Sequence, residues 1–328
     1  MNGKRWAALI LAVGLFFVSV TYQFALSGST ESYEDLLSDT YFEEKIIKEG
    51  QVNGSKIAVL NLEGIIQDGG ASPFTGAYDH NQFLRMIEQA GEDDSIDGII
   101  LRVNTPGGGV VESAEIHDKL VHIQEEYGKP MYVSMGNTAA SGGYYVAAPA
   151  DKIVAHPATL TGSIGVIMEA INYAELADKL GVDFNTIKSG EFKDIMSASR
   201  EMTDDEEAIL QSMIDDLYDD FVQVIVDGRG MSEEQVRELA DGRIYTGKQA
   251  KEHELVDELG TMDDTIAMME EDHNLKDANV VQYEVGYGFG YLFGLTAQNI
   301  FSKDSELKGI TNLIRESGGP RAMYLYSR

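Results

Sequence analysis

The pattern of apolar and polar positions divides the chain into distinct stretches. Residues 6–26 form an uncharged, mostly apolar run behind Lys4 and Arg5 and ahead of Glu31, Glu34 and Asp35. As a helix this run spans roughly 32 Å at ~1.5 Å per residue, the thickness of a bilayer's hydrocarbon core. Positive charge on its leading side predicts a cytoplasmic N-terminus, with everything after the run outside the membrane. The competing reading is a cleaved secretory signal, for which Ala25-Leu26-Ser27 is a poor small-residue cleavage site. Both readings export the remainder of the chain. Residues 28–54 are polar and acidic apart from the apolar pairs Tyr41-Phe42 and Ile46-Ile47, and they read as a stalk.

Beyond the stalk, short apolar blocks alternate with segments of helical period. Residues 56–62 have the pattern of a buried strand, and Phe83, Leu84 and Ile87 give residues 80–90 a helical spacing. A strand at 97–103, a helix at 110–127 and a strand at 130–135 follow. A small-residue helix then opens near Ser141, before strands at 152–155 and 164–168 and a helix at 173–180. Residues 184–188 read as a further strand. Long helical patterns take over at 204–227, with Thr203 as N-cap, and at 233–240 and 261–271. Strands alternating with helices predict an α/β fold with a parallel sheet and crossover helices. The domain reading is therefore a tip and anchor at 1–27, an acidic stalk at 28–54, a main domain at 55–275 and a C-terminal extension at 276–328. Aromatic runs at 286–293 and 322–328 in that extension suggest packing or oligomer surface. The second run follows Gly318-Gly319-Pro320 and is also suited to lying in a groove as a resident peptide.

Charge and composition narrow the chemistry. An apolar content of 43% supports a real core. Acidic residues outnumber basic ones by 55 to 25, which argues against a nucleic-acid partner. Without cysteine the chain has no disulfide framework, thiolate metal site or Cys nucleophile. Its six histidines form no H-x-x-x-H pair, so neither a metal nor another cofactor is expected.

Two segments remain as candidates for catalysis. Thr105-Pro106-Gly107-Gly108-Gly109 lies between a strand and a helix, where glycine backbone can aim N–H groups at an anion or a developing oxyanion. No G-x-G-x-x-G or G-K-[ST] pattern supports a nucleotide loop there. Ser141 opens a helix at the end of a strand among small residues, as a nucleophile elbow does, although an ordinary helix N-cap has the same sequence signature. The N–H groups of Gly108 and Gly142 could together form an oxyanion hole for it. His156 is one candidate base, and Lys188 and Lys193 are two others. A lysine base working near neutrality must fall from about 10.4 to about 7, which requires desolvation.

Five motifs together resemble those of the bacterial signal peptide peptidase A, or protease IV, family. They are N-T-P-G-G-G at 104–109, A-S-G-G-Y-Y at 140–145, T-G-S-I-G-V at 161–166, K-S-G-E-F-K-D at 188–194 and G-R-I-Y-T-G-K-Q-A at 242–250. The resemblance implies a crotonase/Clp protease-like spiral of ββα units. It implies Ser141 as nucleophile, Lys193 as general base with Lys188 as second choice, Gly108 as oxyanion donor and Ser163 as the hydroxyl that orients the lysine. It further implies a membrane-anchored Ser-Lys endopeptidase whose substrates are signal-peptide remnants and other short apolar peptides. Where Clp proteases place a histidine, this chain reads Thr161-Gly162-Ser163-Ile164. Long family members carry two such units. This chain has one, which implies a ring-shaped homo-oligomer with each dyad built from adjacent protomers. Acyl-CoA hydratases and isomerases share that fold, but they normally use carboxylates on cytosolic substrates, and the predicted export argues against them.

Overall fold

A computed structural model describes residues 5, 41–50, 55–68, 78–286 and 322–326. The apolar run at 6–26 and residues 287–293 lie outside them. Among the described residues no helix is long and apolar enough to cross a membrane.

The fold is α/β and is organised on a mixed, mainly parallel sheet. Its strands include β1 (Tyr41–Lys48), β2 (Lys56–Glu63), β3 (Ile96–Thr105), β5 (Met131–Ala140), β6 (Lys152–Ala155), β9 (Glu258–Leu259) and β10 (Asn279–Gly286), in the spatial order β1-β10-β2-β3-β5-β6-β9. Each neighbouring pair from β10 to β9 is parallel. The crossovers between β2, β3 and β5 run through α1 (His80–Glu92) and α2 (Val110–Tyr127).

Strand β2 shows why its apolar run is continuous. Ala58, Leu60 and Leu62 are buried on the side of α1 and α2, while Ile57 and Val59 pack on the opposite face against Ile266 and Met269 of α8 (Met262–Asp272). A strand covered on both faces has no polar side to show. Burying each Ile or Leu side chain there contributes about 1.5–3 kcal/mol. Strand β3 divides in the same way, with Ile99 and Leu101 on one face and Ile100 on the other.

Strand β5 runs past the others and delivers the chain to the site. Its register against β3 shifts between Val103 and Thr105. Beside this irregularity Gly136 packs so closely that a Cβ would come within 2.9 Å of the Asn104 side chain. Beyond it β5 pairs with β7 (Leu160–Gly162), matching Ala140 to Gly162, and β7 pairs antiparallel with β8 (Ile244–Thr246).

Several expectations are corrected. The strand expected at 164–168 is displaced to Leu160–Gly162, because Gly162 and Ser163 adopt φ of 80° and 51° and turn the chain away. Ile167 keeps only an isolated bridge, to Met323. Residues 184–188 form no strand: Phe184 is half exposed, Ile187 is wholly exposed, and no described strand pairs with them. Tyr41–Lys48, read as stalk, is a sheet strand in which Phe42 stacks on Tyr283 of β10 at 6.4 Å. The C-terminal extension thus supplies β10, and it also supplies β11 (Met323–Leu325).

Candidate active site

Ser141 stands between β5 and α3 (Gly142–Ala147) with φ 53° and ψ −117°. A non-glycine residue in such a region costs about 1–3 kcal/mol and persists only when its surroundings hold it. Here the Ser141 N–H donates to the Gly162 carbonyl at 2.7 Å, and the Ser141 carbonyl accepts from the N–H groups of Tyr144 and Tyr145, each at 2.9 Å. Helix α3 is buried throughout, and the Tyr144 hydroxyl ties it to the Leu255 carbonyl at 2.8 Å. Gly142 and Gly143 are required by space, since a Cβ would come within 2.6 Å of Ser113 Oγ and 2.7 Å of Thr105 respectively. The Ser141 side chain caps no N–H of α3, so the N-cap reading lacks its hydrogen bond. Ser163 directly follows the Ala140–Gly162 pairing and therefore stands beside Ser141, also at positive φ.

The glycine loop forms the other wall. Gly107–Gly109 is strand β4, and it pairs antiparallel with β11, matching Gly109, Gly108 and Gly107 to Met323, Tyr324 and Leu325. The Tyr326 N–H donates to the Pro106 carbonyl at 2.8 Å. Bonded pairs alternate along an antiparallel ladder, so the next is Tyr324 with Gly108, which sets the Gly108 N–H on the Tyr324 carbonyl. That carbonyl lies so close to the loop that a Cβ on Gly107, itself at φ 98°, would come within 2.1 Å of it and 2.6 Å of the Gly142 nitrogen. On its other edge β11 bonds Ile167 in both directions, at 2.9 and 3.0 Å. The tail is thus an extended peptide held between the glycine loop and Ile167. Its Tyr324 side chain is buried against Tyr145 and Phe221, and its hydroxyl donates to the Leu217 carbonyl at 2.9 Å.

The candidate bases lie apart from Ser141. Lys193 is exposed, and no hydrogen bond among the described residues joins it to Ser141 or Ser163. Lys188 is committed to Asp194 at 2.6 Å and to the Glu191 carbonyl at 2.7 Å. Arg200 binds Asp194 and also Glu206, which closes the capping box of α5 (Asp204–Arg229) with Thr203. Arg200 first, and then Lys188, holds the Asp194 carboxyl well below the usual range, and Arg200 lowers Glu206 to about 2. His156 is exposed and lines a separate cavity of about 350 Å³ with Arg102 and Asn137, where its Nδ1 accepts from the Ala158 N–H at 3.1 Å. Among the described residues no cluster of side chains could hold a metal ion.

The described geometry is a buried serine at a strand-to-helix turn beside a glycine loop that holds an extended strand, and comparison with known proteins says which family carries it. Residues 123–276 match the pattern of Peptidase family S49. Over 343 aligned residues the chain is 36% identical to an Enterococcus faecium protein provisionally named signal peptide peptidase SppA, with 99% of each chain covered. The chain belongs to peptidase family S49. It is a serine peptidase related to the bacterial signal peptide peptidase A. It is 46% identical to a Synechocystis protein provisionally named protease slr0021, over 64% of this chain and 71% of that one. It is also 35% identical to Protease 4 of Salmonella typhi, over 81% of this chain and 42% of the longer relative.

For an S49 peptidase, the structure brings together four of the five site residues anticipated from sequence: Gly108, Ser141, Gly142 and Ser163. It leaves the fifth, Lys193, on the surface of the single chain. The aromatic pocket of Tyr145 and Phe221 escaped sequence reasoning, because it joins α3 to α5 across about 75 residues. The only signal for it was the apolar tail itself.

Proposed function

We propose that Ser141 and Lys193 form the catalytic dyad of a membrane-anchored endopeptidase that degrades cleaved signal peptides and other short apolar peptides. The anchor is the run at 6–26, the catalytic domain is extracytoplasmic, and its ββα units form a crotonase/Clp-like spiral. Lys193 reaches Ser141 from an adjacent protomer of a ring, with Ser163 orienting its amine. The neutral amine takes the proton from Ser141 Oγ as the oxygen attacks the substrate carbonyl, and the Gly108 and Gly142 N–H groups receive the developing negative charge. The lysine then returns the proton to the leaving amine, which departs as the C–N bond breaks. Water, deprotonated by the same amine, hydrolyses the Ser141 ester and releases the second product.

The observation that carries this reading is the Tyr324 carbonyl on the Gly108 N–H, beside a buried serine at an elbow. The tail lies where a substrate strand would lie, and on this reading it blocks entry. Deleting residues 319–328 should raise hydrolysis of a fluorogenic peptide several-fold. An unchanged rate would show that the tail does not obstruct the groove.

A further inference from the structure

Ahead of Tyr324 the groove opens into a cavity of about 550 Å³ in which every charged residue of the described lining is acidic. Asp68, Glu112 and Glu115 supply the carboxylates, Val110 and Leu217 supply apolar floor, and Ala322 of the bound tail closes one side. An acidic patch alone would mean little on a chain of net charge −30. These carboxylates differ because the strand held in the groove leads directly into them.

Hydrogen bonds to neighbouring residues hold two of these carboxylates, Glu112 and Glu115, in place. Glu112 accepts from the Asp68 N–H at 3.0 Å, and its second oxygen lies over Gly109, where a Cβ would come within 2.0 Å of it. Gly109 is the partner of Met323, so this carboxylate stands against the backbone of the groove. Glu115 meets His80 Nε2 at 2.6 Å, and the His80 Nδ1 meets the Tyr78 hydroxyl at 2.7 Å. Asp68 and Glu112 form no ion pair among the described residues, and Glu115 pairs only with His80. Burial first, and then Glu112, Asp79, Glu115 and Asp68, push the Tyr78 hydroxyl far above its usual range, which registers the same concentration of negative charge.

Residues two apart on an extended strand face the same side. Ala322 therefore faces the side of Tyr324, and its methyl group leaves most of the cavity empty. Lysine and arginine bury their methylene stems on apolar surface and keep the charged head among polar partners. Val110 and Leu217 match the stem, and the three carboxylates match the head. We propose that this cavity is a subsite for a substrate Lys or Arg side chain, two residues before the residue whose carbonyl meets Gly108. The proposal rests on the reading of this groove as the substrate groove.

The test uses full-length protein and N-acetylated fluorogenic peptides that differ only at that position, carrying lysine, norleucine or glutamate. At low salt kcat/KM should be about tenfold higher for lysine than for norleucine and lower still for glutamate, and the preference should shrink as salt screens it. Glu112→Gln keeps an acceptor for the Asp68 N–H and should bring the lysine-to-norleucine ratio towards one, as should Glu115→Gln. A ratio measured on one preparation does not depend on how much of the variant folds. Equal cleavage of the lysine and norleucine peptides by the unaltered protein would overturn the subsite and leave the groove reading intact. Cleavage of none of the peptides would overturn both.

Discussion

If each site is shared between protomers of a ring as proposed, rings assembled from equal amounts of Ser141→Ala and Lys193→Ala chains should recover activity that neither variant has alone. Lys193 is exposed on the segment between α4 (Ala174–Leu180) and α5, and among the described residues none of its own chain supplies the burial that a lysine base needs. The same region exposes Ile171, Leu176, Leu180, Phe184 and Ile187, apolar surface of the kind that marks an interaction face. If a neighbouring protomer covers this surface, Lys193 can be carried into the neighbour's Ser141 site and desolvated there. With random placement in a closed ring, roughly a quarter of the sites then combine an intact serine with an intact lysine. Purification through a different tag on each variant ensures that both chains are present. Activity no greater than that of the single variants in such rings would refute the shared site and leave the serine chemistry standing.

If Lys193 is the general base, Lys193→Met should lower kcat by about 10²–10⁴-fold, the range for losing such a base, and leave assembly unchanged. Met keeps the length of the apolar stem and carries no amine. Lys188→Met should behave differently. Its amine is paired with Asp194, so its loss should loosen residues 188–200 and affect KM and assembly more than the chemical step. A lysine base is inactive while its amine is charged, so on the proposed mechanism the unaltered enzyme should gain rate from pH 6 to 9, and Lys193→Met should lose that dependence. A Lys193→Met variant with near-normal kcat beside an inactive Lys188→Met would transfer the role of base to Lys188.

The parts of the fold read correctly from sequence were those with a local signal. Helix α2 ends where Gly128 adopts the left-handed conformation, and β6 is a short apolar block between polar ends, so both have the boundaries that the pattern predicts. Thr203 caps its helix as expected because Glu206, three residues later, completes a capping box. Residues 184–188 failed because their apolar spacing imitates a strand, whereas in the chain they are exposed. Tyr41–Lys48 was read as stalk because its acidic residues hide a strand whose partner lies more than 230 residues away. At the site, the elbow and the glycine loop were legible because small residues at a strand-to-helix junction have a physical reason to be there. The placement of β11 on β4 was not, because strand pairing across about 215 residues leaves no periodic trace.

The most direct test of the central claim is covalent labelling by a fluorophosphonate, read by intact mass and peptide mapping. The Ser141 account predicts one adduct per chain, located on the peptide containing Ser141, formed faster at pH 9 than at pH 6 and slowed by Lys193→Met. Deletion of residues 319–328 should accelerate it by opening the groove. An adduct on any other residue, or undiminished labelling of Ser141→Ala, would contradict the account.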